Sequence, residues 1–448
     1  MASSNLATRM DSVALIGDLR WQAELFGRAG SSQEAFESLR RAREYIAKLE
    51  PDSIKAHYAA ETDLVEGSLW LRTRPDSALK VVRRLMDRYQ QSRIRLDTDR
   101  ALLLFANAYA AVGAMDSAQR AFEAAIAETE RQRSSIANAN DRARFLDQTR
   151  PVIDSVVSFL VARSDTIRAL EFLERMRSRV LLEHVLNQSP NAIRPAVSID
   201  SLRSRLPLRV NVVSYAVLDQ DVIIWLIRRD GVFMYRSPGA ARLEQLVNRL
   251  SRLVATRSTS PELRSLTAEL HRVLIAPFAA NVEPESRVIF VPDKWLHFVP
   301  FAALFDTTTK KFVVERFETG IAPSLQLYVE SMTRYEQMKE PRAPAVLVVG
   351  NPAFDAQVMA LPRLPGAEAE ANRVAELYTG AHLLVGKQAT KRALLQYAEG
   401  SNVVHFAGHG VVRPDAPLLS HLVLSPEEGG TSGVITAQEL FDIRLPKT

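Results

Sequence analysis

The stretch Ser401-Asn-Val-Val-His-Phe-Ala-Gly-His-Gly410 decides how the C-terminal part of the chain folds. Val403, Val404 and Phe406 form a short apolar run of strand character that ends abruptly on Gly-His-Gly. In an open α/β sheet, reactive groups gather at the carboxyl ends of the strands, where loops converge and backbone amides point outward. Gly408 and Gly410 remove bulk on either side of His409, so the imidazole can reach a substrate while the adjacent amide approaches a developing oxyanion. Working upstream, Val346–Val349 reads as a strand, Gly366–Tyr378 as a helix, His382–Val385 as a strand and Thr390–Glu399 as a helix. Short links between such alternating elements predict crossovers onto a parallel sheet.

Two further chemistries compete for the same residues. His405 and His409 are four apart, as in helical zinc sites, but the preceding strand points them differently and neither a neighbouring Glu nor a cysteine ligand is present. Glycines at a strand end can also cradle phosphate, yet here no lysine and no helix start follow. No metal or cofactor is expected. His405, on the opposite face of the strand from His409, is read as structural.

Before this region, residues 210–231 form two apolar strands around Asp219-Gln220-Asp221, an antiparallel hairpin. A helix over 241–279 follows, then a buried strand Val288–Val291 with a turn at Pro292-Asp293, and a second strand-and-turn set in FVVERFETGIAPSLQLY. His297, flanked by Trp295, Phe298 and Phe301, is expected to be a hydrogen-bonded core residue. EQMKEPRAP reads as a polar linker.

From Asp11 to about Val185 the apolar spacing is helical throughout. A helix pair recurs over Trp21–Ala47, Leu64–Tyr89, Leu102–Glu128 and Val152–Val180. Each second helix carries an alanine followed four positions on by an apolar residue: Ala35 and Leu39, Ala78 and Val82, Ala118 and Phe122, Ala169 and Leu173. Ser32, Asp76, Asp116 and Asp165 stand where they could cap the second helices. Tyr109, Ala118, Phe122 and Ala125, and likewise Phe26, Ala35, Leu39 and Ala42, resemble the tetratricopeptide repeat. The alanines lie 43, 40 and 51 residues apart, against about 34 in that family, so the repeats are divergent. An array of this kind implies a face that holds a protein or peptide partner. Loss of the helical stripe and the arrival of Pro190, Pro195 and Pro207 place a boundary at 186–209.

The chain has 448 residues, 57 basic and 52 acidic side chains and a net charge of +5. That length favours more than one domain. The two signs mix along segments such as ESLRRAREYIAKLE, so nucleic-acid binding is not expected. No apolar run reaches membrane-spanning length and no signal sequence opens the chain, which leads to the expectation of a cytoplasmic protein without membrane partners. Cysteine is absent.

The blocks IFVPDKWLHFVPFAALFD, VERFETGIAPSLQLY, VVGNPAFD, LPGAEAEANRVAELY, GKQATKRALL, VVHFAGHG and GVITAQELFDIRLP resemble, in order, a CHAT domain, a module of the caspase and separase fold commonly joined to tetratricopeptide repeats. The resemblance implies an N-terminal all-α repeat array (1–185), a linker (186–209), the first half of a CHAT domain (210–335) and a caspase-like α/β half with a mainly parallel sheet (336–448). It also implies peptide-bond hydrolysis by a cysteine–histidine dyad, with His409 as base, the Gly410 N–H at the oxyanion, a protein or peptide substrate, and a regulatory protein on the repeats. In caspases the nucleophile lies roughly 50 residues beyond the histidine. Here 39 residues follow His409, so the expectation is a chain that stops just short of the nucleophile strand and is inactive as given. The alternative is a non-catalytic interaction scaffold. Asp415, Glu427 and Glu428 stay open as specificity residues.

Overall fold

The computed structural model describes residues 2–91, 98–136, 145, 149–185, 198–256, 260–337, 344–413, 416–427 and 433–441. The first half of the expected linker (186–197), Asp415 and Glu428 lie outside them. Contacts group the chain into two units: Met1–Ala137, Phe145–Arg177 and Ile193–Leu325 form the first, and Asn138–Arg144, Ser178–Ala192 and Gln326–Thr448 form the second.

The first unit begins with the helices α1 (Ala2–Arg28), α2 (Ser32–Ile46), α3 (Asp52–Thr73), α4 (Pro75–Gln91), α5 (Thr98–Ala111), α6 (Met115–Ser135), α7 (Arg150–Ala162) and α8 (Thr166–Val185). α1 packs on α2, α3 on α4 and α5 on α6. The repeated alanines Ala35, Ala78, Ala118 and Ala169 are fully buried, and so are Leu39, Val82, Phe122 and Leu173 four positions on. Three of the four inter-helix turns close in the same way. Phe26, Tyr109 and Leu160, each nine residues before its alanine, accept through their carbonyls from the amides of Ser31, Ala114 and Asp165 at 2.9, 2.9 and 3.0 Å. The intervening residue of each turn, Gly30, Gly113 or Ser164, takes a left-handed conformation. α3–α4 differs: Arg74 alone joins the helices and Pro75 opens the second.

Three of the four expected caps are displaced, while Asp165 stands directly before α8 and its carbonyl accepts from the Ala169 amide. Ser31 and Ala114 hold the cap positions of α2 and α6 and make no side-chain cap bond. Ser32, Asp76 and Asp116 lie within the helices, where the two carboxylates favour the positive end of the helix dipole. Asp165 pairs with Arg168 at 3.2 Å.

The same unit continues into a sheet ordered β3-β2-β1-β4-β7, with β1 Val210–Val217, β2 Asp221–Arg228, β3 Gly231–Pro238, β4 Arg287–Val291 and β7 Glu318–Ile321. β5 (Phe305–Asp306) and β6 (Lys311–Phe312) form a separate ladder. β1–β2 is the expected hairpin; β3, its third strand, was not evident from sequence. β1 runs antiparallel to β2 but parallel to β4. Val213, Tyr215, Val217, Ile224 and Leu226 face a core shared with the helices Ala240–Ala255 and Pro261–Leu274. The expected single helix over 241–279 is three pieces, broken where the Ser260 hydroxyl accepts from the Glu262 amide ahead of Pro261 at the first helical position. Every residue of β1 is buried, so the other face is covered as well. The Trp225 indole N–H, on that face, donates to the Thr166 carbonyl of α8 at 3.2 Å.

The second unit holds β8 (Val346–Pro352), β9 (His382–Gly386) and β10 (Val403–Ala407), all parallel and ordered β10-β8-β9. The helix Pro365–Glu376 packs Ala367 and Ala371 against Val346, Val348 and Ala407 on one face. The helix Lys391–Ala398 packs Leu394 and Ala398 against Leu347 and Val349 on the other. Gly350 allows the first contact: a Cβ there would lie 2.3 Å from the Ala371 Cβ. A small antiparallel ladder of β11 (Gly410–Val411), β12 (His421–Val423) and β13 (Val434–Thr436) follows β10. Among the described residues no helix is long and apolar enough to cross a membrane.

Candidate active site

Strand order makes the site. From the central β8 the chain crosses to β9 on one side and then to β10 on the other, so the switch in winding direction falls between the carboxyl ends of β8 and β10. Such a point leaves a crevice where loops diverge. His409 follows β10 and Phe354 follows β8, and both reach this crevice.

His409 is half-buried. Its Nε2 lies 2.6 Å from the carbonyl oxygen of Pro362. A carbonyl only accepts, so Nε2 carries the proton and Nδ1 is left as the basic nitrogen. The Phe354 ring stands edge-on to the imidazole, centroids 5.5 Å apart at 79°. His405 points away: its Nε2 is 3.0 Å from Glu370 Oε1, on the helix Pro365–Glu376. The two histidines thus diverge, contrary to a shared metal site: β10 ends at Ala407 and the chain turns before His409, whereas an unbroken strand would place residues four apart on one face. Among the described residues no group of three or more acidic or histidine side chains is placed to hold a metal ion.

The two glycines differ. A Cβ on Gly408 would sit 2.7 Å from the Phe406 ring and 3.3 Å from Pro352, whereas on Gly410 it would meet only Leu422 at an ordinary 3.6 Å. Gly410 is registered opposite Leu422 in the β11–β12 ladder, and the neighbouring bond runs from the Val423 amide to the His409 carbonyl at 2.9 Å. Gly410 therefore occupies a non-hydrogen-bonded position of the ladder, and pairing with β12 does not consume its amide. Beneath the crevice, buried Ser425 ties the strand ends together: its hydroxyl accepts from the Ala353 amide and donates to the Gly386 carbonyl, both at 2.7 Å. Glu427 caps a helix by accepting from the Arg392 amide at 2.8 Å. Pro362 escaped sequence reading, because a backbone carbonyl has no side-chain signature.

A second constellation belongs to the first unit. Asp293, 3% exposed, receives Arg150 at 2.6 Å, Arg177 at 3.2 Å and the Val217 amide at 2.8 Å. Lys294 bridges Asp154 and the Val217 carbonyl, each at 2.7 Å. Burial pushes the Asp293 carboxyl up, but Arg177 and Arg150 outweigh it and hold the group below the usual carboxylate range. His297 is not the expected core residue. It is exposed on the 3₁₀ turn Lys294–Phe298, crowded on one side, so desolvation and then Arg177 lower its pKa.

Residues 264–448 match the family model described as CHAT domain. Tetratricopeptide repeat protein 28 of Homo sapiens is 28% identical over 234 residues, covering 48% of this chain and 9% of that protein. Its namesake in Mus musculus is 31% identical over 192 residues, covering 39% of this chain and 7% of that protein. The chain thus spans less than a tenth of the length of these curated relatives.

Proposed function

For a chain that joins a tetratricopeptide-like helical array to a CHAT domain, we propose a partner-binding array coupled to a site of cysteine-peptidase type, with His409 as the base. The tautomer carries this reading: the Pro362 carbonyl holds the proton on Nε2 and frees Nδ1 at the mouth of the crevice. In the reaction that follows, Nδ1 takes the proton of a thiol and the thiolate adds to a peptide carbonyl carbon. The Gly410 amide faces the oxygen that gains charge. On collapse the C–N bond breaks and the same proton passes to the leaving amine. Water then releases the acyl group, giving one proton to Nδ1 and finally restoring the thiol.

No thiol exists among these 448 residues. This favours the second reading, in which the array and a peptidase-like domain serve as a binding scaffold. One introduced cysteine separates the two readings, since it is the single thiol in the chain. Phe354→Cys brings sulfur beside the imidazole, and iodoacetamide alkylation followed against pH gives its titration. A competent base lowers the midpoint below the ordinary 8.5 or so, and His409→Ala restores it. An identical midpoint with and without His409 would reject the dyad and leave the scaffold.

A further inference from the structure

Resting on the reading of the helical array as a partner-binding platform, we infer that the groove along α1, α3 and α5 takes an acidic peptide segment. These are the first helices of three successive pairs. Two adjoining hollows of about 160 and 230 Å³ share Glu24, Val65 and Arg100 on their walls. Leu64, Val65 and Leu69 form an apolar floor, and Trp21, 64% exposed, forms part of the wall.

Charge settles the class of occupant. Arg20, also on the wall, is committed to Glu61, which His57 approaches at 3.7 Å. Arg28, Arg72 and Arg100 line the groove and are exposed; among the described residues none has an ion-pair or hydrogen-bond partner. Glu24 is the one carboxylate left to face three unmatched guanidinium groups. By contrast, Arg43, Arg84 and Arg88 converge on Asp63, which is 3% exposed. Three forks left open over an apolar floor suit carboxylates spaced along an extended chain whose other side chains enter the hollows. A nucleic acid would require several stacking aromatics along the track, and Trp21 is the one exposed aromatic on these walls.

Gly17 supplies a test that leaves the fold alone. It lies in α1 on the wall of the first hollow, and a Cβ there meets nothing within 4 Å. Gly17→Trp therefore brings bulk to the wall of the groove from a position that accepts a Cβ without a clash. The experiment measures binding of labelled peptides to the full chain by fluorescence anisotropy, using an alternating Glu-Leu peptide, its Lys-Leu counterpart and a mixed-sequence pool of equal length. Melting curves verify that each variant is folded.

The acidic peptide is expected to bind at least about tenfold tighter than the basic one. Arg72→Glu with Arg100→Glu, and separately Gly17→Trp, should each weaken it by a similar factor. Equal binding of acidic and basic peptides, or folded variants that bind unchanged, overturns the inference. Displacement by oligo-dT or phosphatidylserine vesicles that matches or exceeds displacement by unlabelled acidic peptide also overturns it, in favour of a general anion surface. Pool members that bind while the acidic probe does not would remove only the acidic preference. Silence from every peptide would remove the platform reading too.

Discussion

The Pro-Asp-Lys turn at 292–294 and the Gly-His-Gly turn at 408–410 both follow parallel strands, β4 and β10, yet they do opposite things. Asp293 is sealed in and matched: two arginines and an amide occupy its carboxylate, and the partners come from α7, α8 and β1. His409 is half-open, and the one hydrogen bond recorded for its ring goes to a backbone carbonyl. A turn whose polar group is saturated holds the fold together; a turn whose polar group keeps one free nitrogen can do chemistry. The sequence block richest in aromatics is therefore structural, and the sparser block carries the candidate site.

The largest expected effect breaks the first turn. Asp293→Ala strands Arg150 and Arg177 beside a buried amide and should cost about 3–5 kcal/mol in urea denaturation; a loss under about 1 kcal/mol would refute its structural role. Its pH signature has a definite sign. The folded carboxyl titrates below its ordinary 3.8, so its stabilisation is present above that value and is lost as pH falls through the lower folded pKa. The stability gap between the parent and Asp293→Asn should narrow on acidification below about pH 4; a gap that widens instead is the contrary result.

Gly350→Ala, beneath the second turn, forces a Cβ onto Ala371 and should cost about 1–3 kcal/mol by thermal or urea unfolding. No change would mean that the helix and β8 are not in close contact. Trp225→Phe removes the bond to the Thr166 carbonyl while keeping most of the ring buried, for a loss of about 1 kcal/mol. Smallest is Glu370→Gln, which breaks an exposed pair with His405 and should shift stability by less than about 0.5 kcal/mol at neutral pH; a larger loss would make His405 more than a surface residue.

Strands and helices of the second unit were legible because their periods are clean. Val346–Val349, His382–Val385 and Val403–Phe406 reappear almost unchanged as β8, β9 and β10. The repeat alanines were legible for the same reason, since burial at four-residue spacing leaves small residues in register. β3 was missed because an edge strand with Phe233 and Arg236 exposed lacks a sustained apolar run. His297 misled because its aromatic neighbours suggested a core, while Phe298 itself is 44% exposed. The partners of Asp293 lie more than 70 residues away along the chain, a separation no local pattern encodes. The Pro362 carbonyl was hidden for a different reason, being backbone.

The tautomer of His409 tests the central claim most directly. Two-bond ¹⁵N–¹H correlation of the imidazoles, recorded above the histidine titration and assigned with His409→Gln, reads which ring nitrogen holds the proton. A proton on Nε2 with an unprotonated Nδ1 is the result expected from the Pro362 contact. A proton on Nδ1, or rapid averaging between the two nitrogens, would contradict the assignment of His409 as a preset base.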